Sequence, residues 1–226
     1  MDNKFGFGGE IVWRPNPEYI ARSHMKRFMD RHGIESFDGL IERSTSDVAW
    51  FSDAVIKHLD IQFKKPYSQV VDVSSGIQCP QWCVGGRLNI VHNCLDKWNA
   101  TTETRQRPAL IWEGEEGESR TMTYGELAGD VNRCANALRE LGLGKGDAIG
   151  LHMPMTPEIV VAMLAIARIG GVILPLFSGF GAGAINSRLN DAEAKGLFTA
   201  DGILRRGDVV PLKPTADMAV EQVPTM

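Results

Sequence analysis

The stretch GDAIGLHMPMTPEIVVAMLAIARIGGVILPLF, residues 146–177, decides the fold. GDAIGLHM is a short apolar run of strand length. Thr156-Pro157-Glu158 then starts a helix with a cap, a proline at the first helical position and an acid in the first turn. Gly170 and Gly171 close it. The helix PEIVVAMLAIARIGG is apolar nearly all round, which predicts a buried position. VILPLF follows at once as a second strand. A strand, a helix and a strand with such short connections imply a right-handed crossover and parallel pairing.

The same alternation continues on both sides. Upstream, PALIWEG and RTMT read as strands, and TYGELAGDVNRCANALRELG as a helix with Thr123 as cap and Glu126 completing a capping box. Gly142 is its stop. Downstream, AGAINSRLNDAEAK is the next helix and GLFTAD the strand after it, so the second half of the chain should be a parallel sheet covered on both faces. Before about residue 105 the pattern is helical and irregular. Asn16-Pro17-Glu18 opens a helix that Gly33 stops, with Tyr19, Ile20, Met25, Phe28 and Met29 at helical spacing. A second helix is expected from about Ser46 to Leu59, with Trp50, Phe51, Ala54, Val55 and His58 on one face. From Ile61 to Leu88, Pro66, Pro80 and the Gly85-Gly86 pair predict extended chain and turns that lie against another domain. The expected domains are therefore an extension over 1–105 and a sheet domain over 106–226.

Composition excludes several classes. With 43% hydrophobic and 23% charged residues the 226-residue chain has the makings of a packed core, and a net charge of −4 without a basic stripe argues against nucleic-acid partners. No apolar run approaches the roughly 20 residues that span a bilayer, and the start lacks a leader pattern, so a cytoplasmic protein with no membrane partner is expected. Cys79, Cys83, Cys94 and Cys134 form no disulfide framework. Cys79 and Cys83 have the look of half a zinc site, but no second pair completes it, so buried or half-buried free thiols and no metal are expected. His24, His32, His58, His92 and His152 are scattered and read as surface or packed residues.

LPLFSGFGAG, residues 174–183, stands where ligands of open parallel sheets gather, at a strand's carboxyl end leading into a helix. Gly179-x-Gly181-x-x-Ala184 fits the dinucleotide fingerprint, and Asp201 ends the following strand where a ribose-binding acid belongs. An NAD-binding oxidoreductase module of Rossmann type is therefore one reading. Against it, strand-helix units precede the loop, and Phe177 and Phe180 flank the first glycine. No Walker sequence exists in the chain. GLGKGD (142–147) reads as the turn between a helix and a strand.

WCVGGRLNIVHNCLDKW (82–98), TYGELAGDVNRCANALRELGLGKGD (123–147), MPMTPEIVVAMLAIARIGG (153–171), FSGF (177–180) and TADGILRRG (199–207) occur in one order and spacing. Together they resemble the N-terminal part of an AMP-forming acyl-CoA synthetase of the acetyl-CoA synthetase type, from about Val12 to Lys213. The resemblance implies an α/β fold: a helical and irregular N-terminal extension packed on the first part of a parallel-sheet adenylate-forming domain. It implies a ligase that activates a carboxylate, such as acetate, with ATP and Mg²⁺ to an acyl-adenylate, then transfers the acyl group to CoA. The family's Ser/Thr/Gly-rich phosphate loop, adenine- and ribose-binding segments, hinge acid and C-terminal lysine have no counterpart in these 226 residues. The chain alone is thus expected to be inactive and to self-associate through surfaces that further chain would cover.

What the resemblance leaves here is part of the CoA site. It implies Phe177 stacked on the CoA adenine, Ser178 and Gly179 presenting backbone, and Arg205 meeting phosphate, with no catalytic and no metal-binding residue in the chain. The sequence departs from the family in two places. Asp208 stands where a second arginine is common, with Arg206 as an extra cation, and ILPLFSGFGAG replaces a His-containing strand and its turn. Phe177 and Phe180 fit core packing as well as stacking. Trp82, Gly85, Gly86, Asn89, Asn93 and Asp96 read as structural residues anchoring the extension to the sheet.

Overall fold

The computed structural model describes residues 12–226, and the chain divides into two compact units, Met1–Gly86 and Arg87–Met226. In the first unit, Asn16 Oδ1 accepts the Tyr19 backbone N–H at 2.9 Å and starts α1 (Pro17–Arg22). The single helix expected to reach Gly33 is two helices. Ser23 adopts extended backbone, ends α1, and with its hydroxyl accepts the Lys26 N–H at 3.0 Å to cap α2 (His24–Arg31). A serine that caps one helix in this way breaks the one before it. Phe28 and Met29 enter the core, whereas Tyr19, Ile20 and Met25 stay exposed.

Two further helices follow, α3 (Phe37–Ser46), which the sequence pattern does not foreshadow, and α4 (Val48–His58). Asp47 caps α4, its Oδ1 accepting the Trp50 N–H at 2.8 Å. The expected face of α4 packs as predicted at Trp50, Phe51, Ala54 and Val55, against Phe28, Met29, Ile34 and Leu40. The stretch expected to be extended pairs with itself as an antiparallel hairpin, β1 (Gln69–Asp72) and β2 (Gln81–Val84). Trp82 lies in that hairpin, with Gly85 and Gly86 at its exit.

The second unit opens with short turns of helix, α5 (Ile90–Cys94), a 3₁₀ turn at Asp96–Asn99 and α6 (Thr102–Arg105). Then come β3 (Pro108–Glu113) and β4 (Ser119–Thr123), an antiparallel pair outside the parallel sheet, because the few residues joining them are too few for a crossover. Thr123 and Glu126 cap α7 (Tyr124–Glu140) reciprocally, at 2.8 and 3.2 Å, as the sequence requires.

The parallel sheet contains β5 (Ala148–His152), β6 (Val172–Pro175) and β7 (Gly196–Thr199) in the order β6-β5-β7. The helix α8 (Pro157–Ile169) joins the first two and ends at Gly170, whose φ of 81° is the left-handed cap that glycine supplies. Thr156 occupies the N-cap of α8, but its side chain makes no capping bond. α9 (Ala182–Asp191) joins β6 to β7.

Alternation along β5 sends Ile149 and Leu151 to a core shared with α7 and α8, and Ala148 to a second core with Ile185 and Leu189 of α9. The sheet is covered on both faces, as expected. α8 buries Ala162, Ala165, Ile166 and Ile169, while Met163 remains on the surface. A hairpin of β8 (Gly202–Arg205) and β9 (Asp208–Pro211) and the helix α10 (Lys213–Val220) complete the chain.

Two of the residues read as structural tie the start of this unit to α8. The Asn89 side-chain amide donates to the Ala167 and Arg168 carbonyls at 3.0 and 3.2 Å, and Asp96 accepts from Arg168 Nη2 at 2.6 Å. All four cysteines are free. Cys79 and Cys94 are exposed rather than buried or half-buried, which corrects the expectation for that pair, and Cys83 and Cys134 are half-buried.

Candidate functional site at the carboxyl edge of the sheet

At the carboxyl ends of β5 and β6 the chain leaves in opposite directions. From β5 it turns to α8 on one face, and from β6 to α9 on the other. Such a divergence opens a crevice between two neighbouring strands, the position at which open α/β sheets bind ligands. The ladder runs one residue past β6, since Leu176 N–H donates to the Leu151 carbonyl at 2.9 Å. The turn Phe177–Gly181 begins directly after it, closed by Phe180 N–H donating to the Phe177 carbonyl at 2.9 Å.

The two phenylalanines of this turn separate into different roles. Phe180 packs partly buried in the α9 core, with the Arg188 guanidinium 4.4 Å from its ring centre. Phe177 is 59% exposed and stands perpendicular to Phe180 at 5.6 Å between ring centres. Gly179 makes this arrangement possible, because a Cβ there would lie 2.6 Å from Phe177 Cε1. Gly181 is the N-cap of α9 and supplies no side-chain acceptor, and a Cβ at Gly181 or Gly183 would meet open space. Uncapped N–H groups and the positive end of the helix dipole favour an anion there.

Arg205 ends β8, exposed, directly opposite Asp208 in the hairpin register. Arg206 and Gly207, with φ of 58° and 83°, form the turn between the two strands. The Arg206 backbone N–H donates to the Glu115 carboxylate of the β3–β4 turn. Phe177, Ser178 and Gly179 thus share one turn after β6, whereas Arg205 follows β7. The two segments flank the end of β5. Asp208 places a carboxylate, not a second cation, next to Arg205. A cleft of about 380 Å³ beside Trp112, Met155 and Leu204 is lined by Glu113, Glu115 and Glu118, charges that repel phosphate.

His152, read from the sequence with the other scattered histidines as a surface or packed residue, is a packed one. It ends β5, is fully buried, and neither ring nitrogen makes a hydrogen bond of normal geometry. Burial pushes its pKa down, against an opposing pull from the Ser178 backbone. Thr199, its register partner on β7, also has a buried hydroxyl without a partner. Nothing local in the sequence announces this pair, since their adjacency depends on the order of strands in the sheet.

Among the described residues no helix is long and apolar enough to cross a membrane, and no group of three or more His, Cys, Asp and Glu side chains could hold a metal ion. Residues 37–94 match the family model described as "Acetyl-coenzyme A synthetase N-terminus", and residues 97–225 the model described as "AMP-binding enzyme".

The chain is 47% identical over 146 residues to an acetyl-coenzyme A synthetase of Gemmatimonas aurantiaca, covering 65% of this chain and 22% of that protein. It is 36% identical over 212 residues to an acetyl-coenzyme A synthetase of Methanothrix thermoacetophila, covering 93% and 32%. The solved acetoacetyl-CoA synthetase from Streptomyces lividans superposes with a TM-score of 0.83 at 30% identity, over 95% of this chain and 34% of that one. The chain therefore spans between about a fifth and a third of the length of these relatives. The Rossmann reading of Gly179, Gly181 and Ala184 finds no support, because the AMP-binding model runs straight through the fingerprint and the first of its glycines accommodates an aromatic ring. On the match over residues 97–225, more than half its length, this chain belongs to the AMP-binding enzyme family.

Proposed function

We propose that this chain is the N-terminal portion of an AMP-forming acyl-CoA ligase acting on a short-chain acid such as acetate, and that its own contribution is the adenine end of the CoA site. In the reaction a carboxylate oxygen attacks the α-phosphorus of ATP and pyrophosphate leaves. The CoA thiolate then attacks the acyl carbon and AMP leaves. ATP and Mg²⁺ are assigned to parts of the enzyme outside these residues. The free thiols at all four cysteines go with a cytoplasmic setting, where cysteines stay reduced.

The observation that carries the CoA reading is the exposed Phe177 ring in the turn that follows the carboxyl end of β6, set edge-on against Phe180. A purine stacks on such a face, and base–aromatic stacking contributes about 1–3 kcal/mol. Ser178 and Gly179 bring backbone close to the base, the N-terminus of α9 suits a phosphate, and Arg205 supplies a guanidinium for charge-assisted bonds. Arginine modification by phenylglyoxal tests this. CoA should protect Arg205 from modification, and NADH should not. Equal modification with and without CoA would contradict the assignment, and protection by NADH would revive the dinucleotide reading.

A further inference from the structure

His152 is anomalous on energetic grounds. A buried imidazole without partners gives up its hydration with nothing in return, and such groups in a native interior call for a reason. His152 is fully buried at the end of the middle strand, both its ring nitrogens are unpartnered, and the Thr199 hydroxyl beside it is orphaned as well. Along β5, residues Ala148, Gly150 and His152 share the face covered by α9, so the ring lies on the side to which the Phe177–Gly181 turn leads. Leu176, the residue before that turn, donates its N–H to the carbonyl of Leu151, the neighbour of His152, at 2.9 Å, so the turn starts beside the ring.

We propose that His152 is a positioning residue for the Phe177–Gly181 turn: its imidazole sits between the Ser178 backbone and the Thr199 hydroxyl and sets the height at which the turn presents Phe177. The proposal rests on the CoA reading for its purpose, but not for its geometry. On this proposal the buried ring and hydroxyl support from below a turn that leads into a helix with no side-chain cap, because glycine stands at the N-cap of α9. A hydrophobic residue would fill the same space more cheaply. Polarity kept at a cost in stability is the mark of a functional position.

The test compares the unaltered chain with His152→Phe and His152→Gln by thermal melting, amide hydrogen exchange and CoA titration. His152→Phe keeps the ring volume and removes the orphaned nitrogens. Its Tm should be equal or higher, while amides of the Phe177–Gly181 turn exchange at least tenfold faster and those of α8 do not change. CoA affinity should fall about tenfold, and His152→Gln, which keeps a donor and an acceptor, should recover most of it.

Unchanged exchange in the turn of His152→Phe would overturn the proposal. So would a parallel loss of Tm and protection throughout the unit, which marks a purely structural side chain. If His152→Phe does not fold, exchange in the turn of His152→Gln decides: protection kept supports the proposal, protection lost at full Tm overturns it. Failure of the unaltered chain to bind CoA overturns the CoA reading instead, while the exchange data still judge the positioning role.

Discussion

Asp147 holds the turn before β5 from two sides: its Oδ2 accepts the Gly144 N–H at 2.8 Å, and Lys195 Nζ, just ahead of β7, closes on its Oδ1 at 2.6 Å. The GLGKGD stretch is thereby a structural turn, with glycines at 142 and 146 in the left-handed region and the aspartate as its clamp. The Lys195 hydrogen bond first, then the Gly144 N–H, keeps the Asp147 carboxyl below its ordinary value. Because the folded pKa is the lower one, this contribution is present above the unfolded value of about 3.9 and disappears as pH falls through the folded value. Asp147→Asn should lower Tm at neutral pH and lose that difference in acid, as followed by circular dichroism.

The first unit should be acid-sensitive at a higher pH. His58 stacks edge-on against Phe28, with ring centres 5.3 Å apart, and its Nδ1 is buried without a partner. Burial, then the nearby Arg31, pushes its pKa below 6.5. The unfolded state therefore binds the proton more readily, so stability is full above about pH 6.5 and drops as pH falls toward the folded value. Hydrogen exchange of α4 should accelerate between neutral and mildly acid pH, and His58→Phe should flatten that dependence.

Gly150 is required by its neighbours, not by its backbone. A Cβ at this point of the central strand would lie 2.7 Å from Leu197 Cδ1 and 3.1 Å from Leu189 Cδ2. Leucines from β7 and α9 close over the strand at that spot. Gly150→Val should destabilise the second unit by about 1–3 kcal/mol through overpacking, measured by urea unfolding.

On the proposed CoA reading, Asp208 limits phosphate affinity. It stands opposite Arg205 at the end of an exposed hairpin, where a carboxylate opposes any phosphate approaching the arginine. Asp208→Arg should strengthen CoA binding by about 0.5–1 kcal/mol, the scale of exposed charge pairs, and the gain should shrink at high salt. Unchanged binding in low salt would place the phosphates elsewhere.

Much of the second unit is legible because each element carries its own punctuation. Thr123 with Glu126 starts α7, Gly170 ends α8, and apolar runs of strand length lie between. These signals are local, and local chemistry decides them. Ser23 shows the opposite case. Its neighbours keep helical spacing on both sides, so the pattern reads straight through a residue that in fact caps the second of two helices.

The β8–β9 hairpin is hidden for a related reason. Its turn is Arg206-Gly207, and the left-handed arginine replaces the Asn or Asp that ordinarily marks such a turn. At the site, Phe177 and Gly179 stand out in the sequence by residue type. The pairing of His152 with Thr199 does not, since it arises only when β7 crosses β5 to take the far side of the sheet.

Calorimetric titration of CoA into the chain, beside Phe177→Ala, tests the central claim most directly. Saturable binding of CoA, weakened at least tenfold in Phe177→Ala while Tm is retained, is the predicted result. No saturable heat with the folded chain, or equal affinity in the variant, would contradict it.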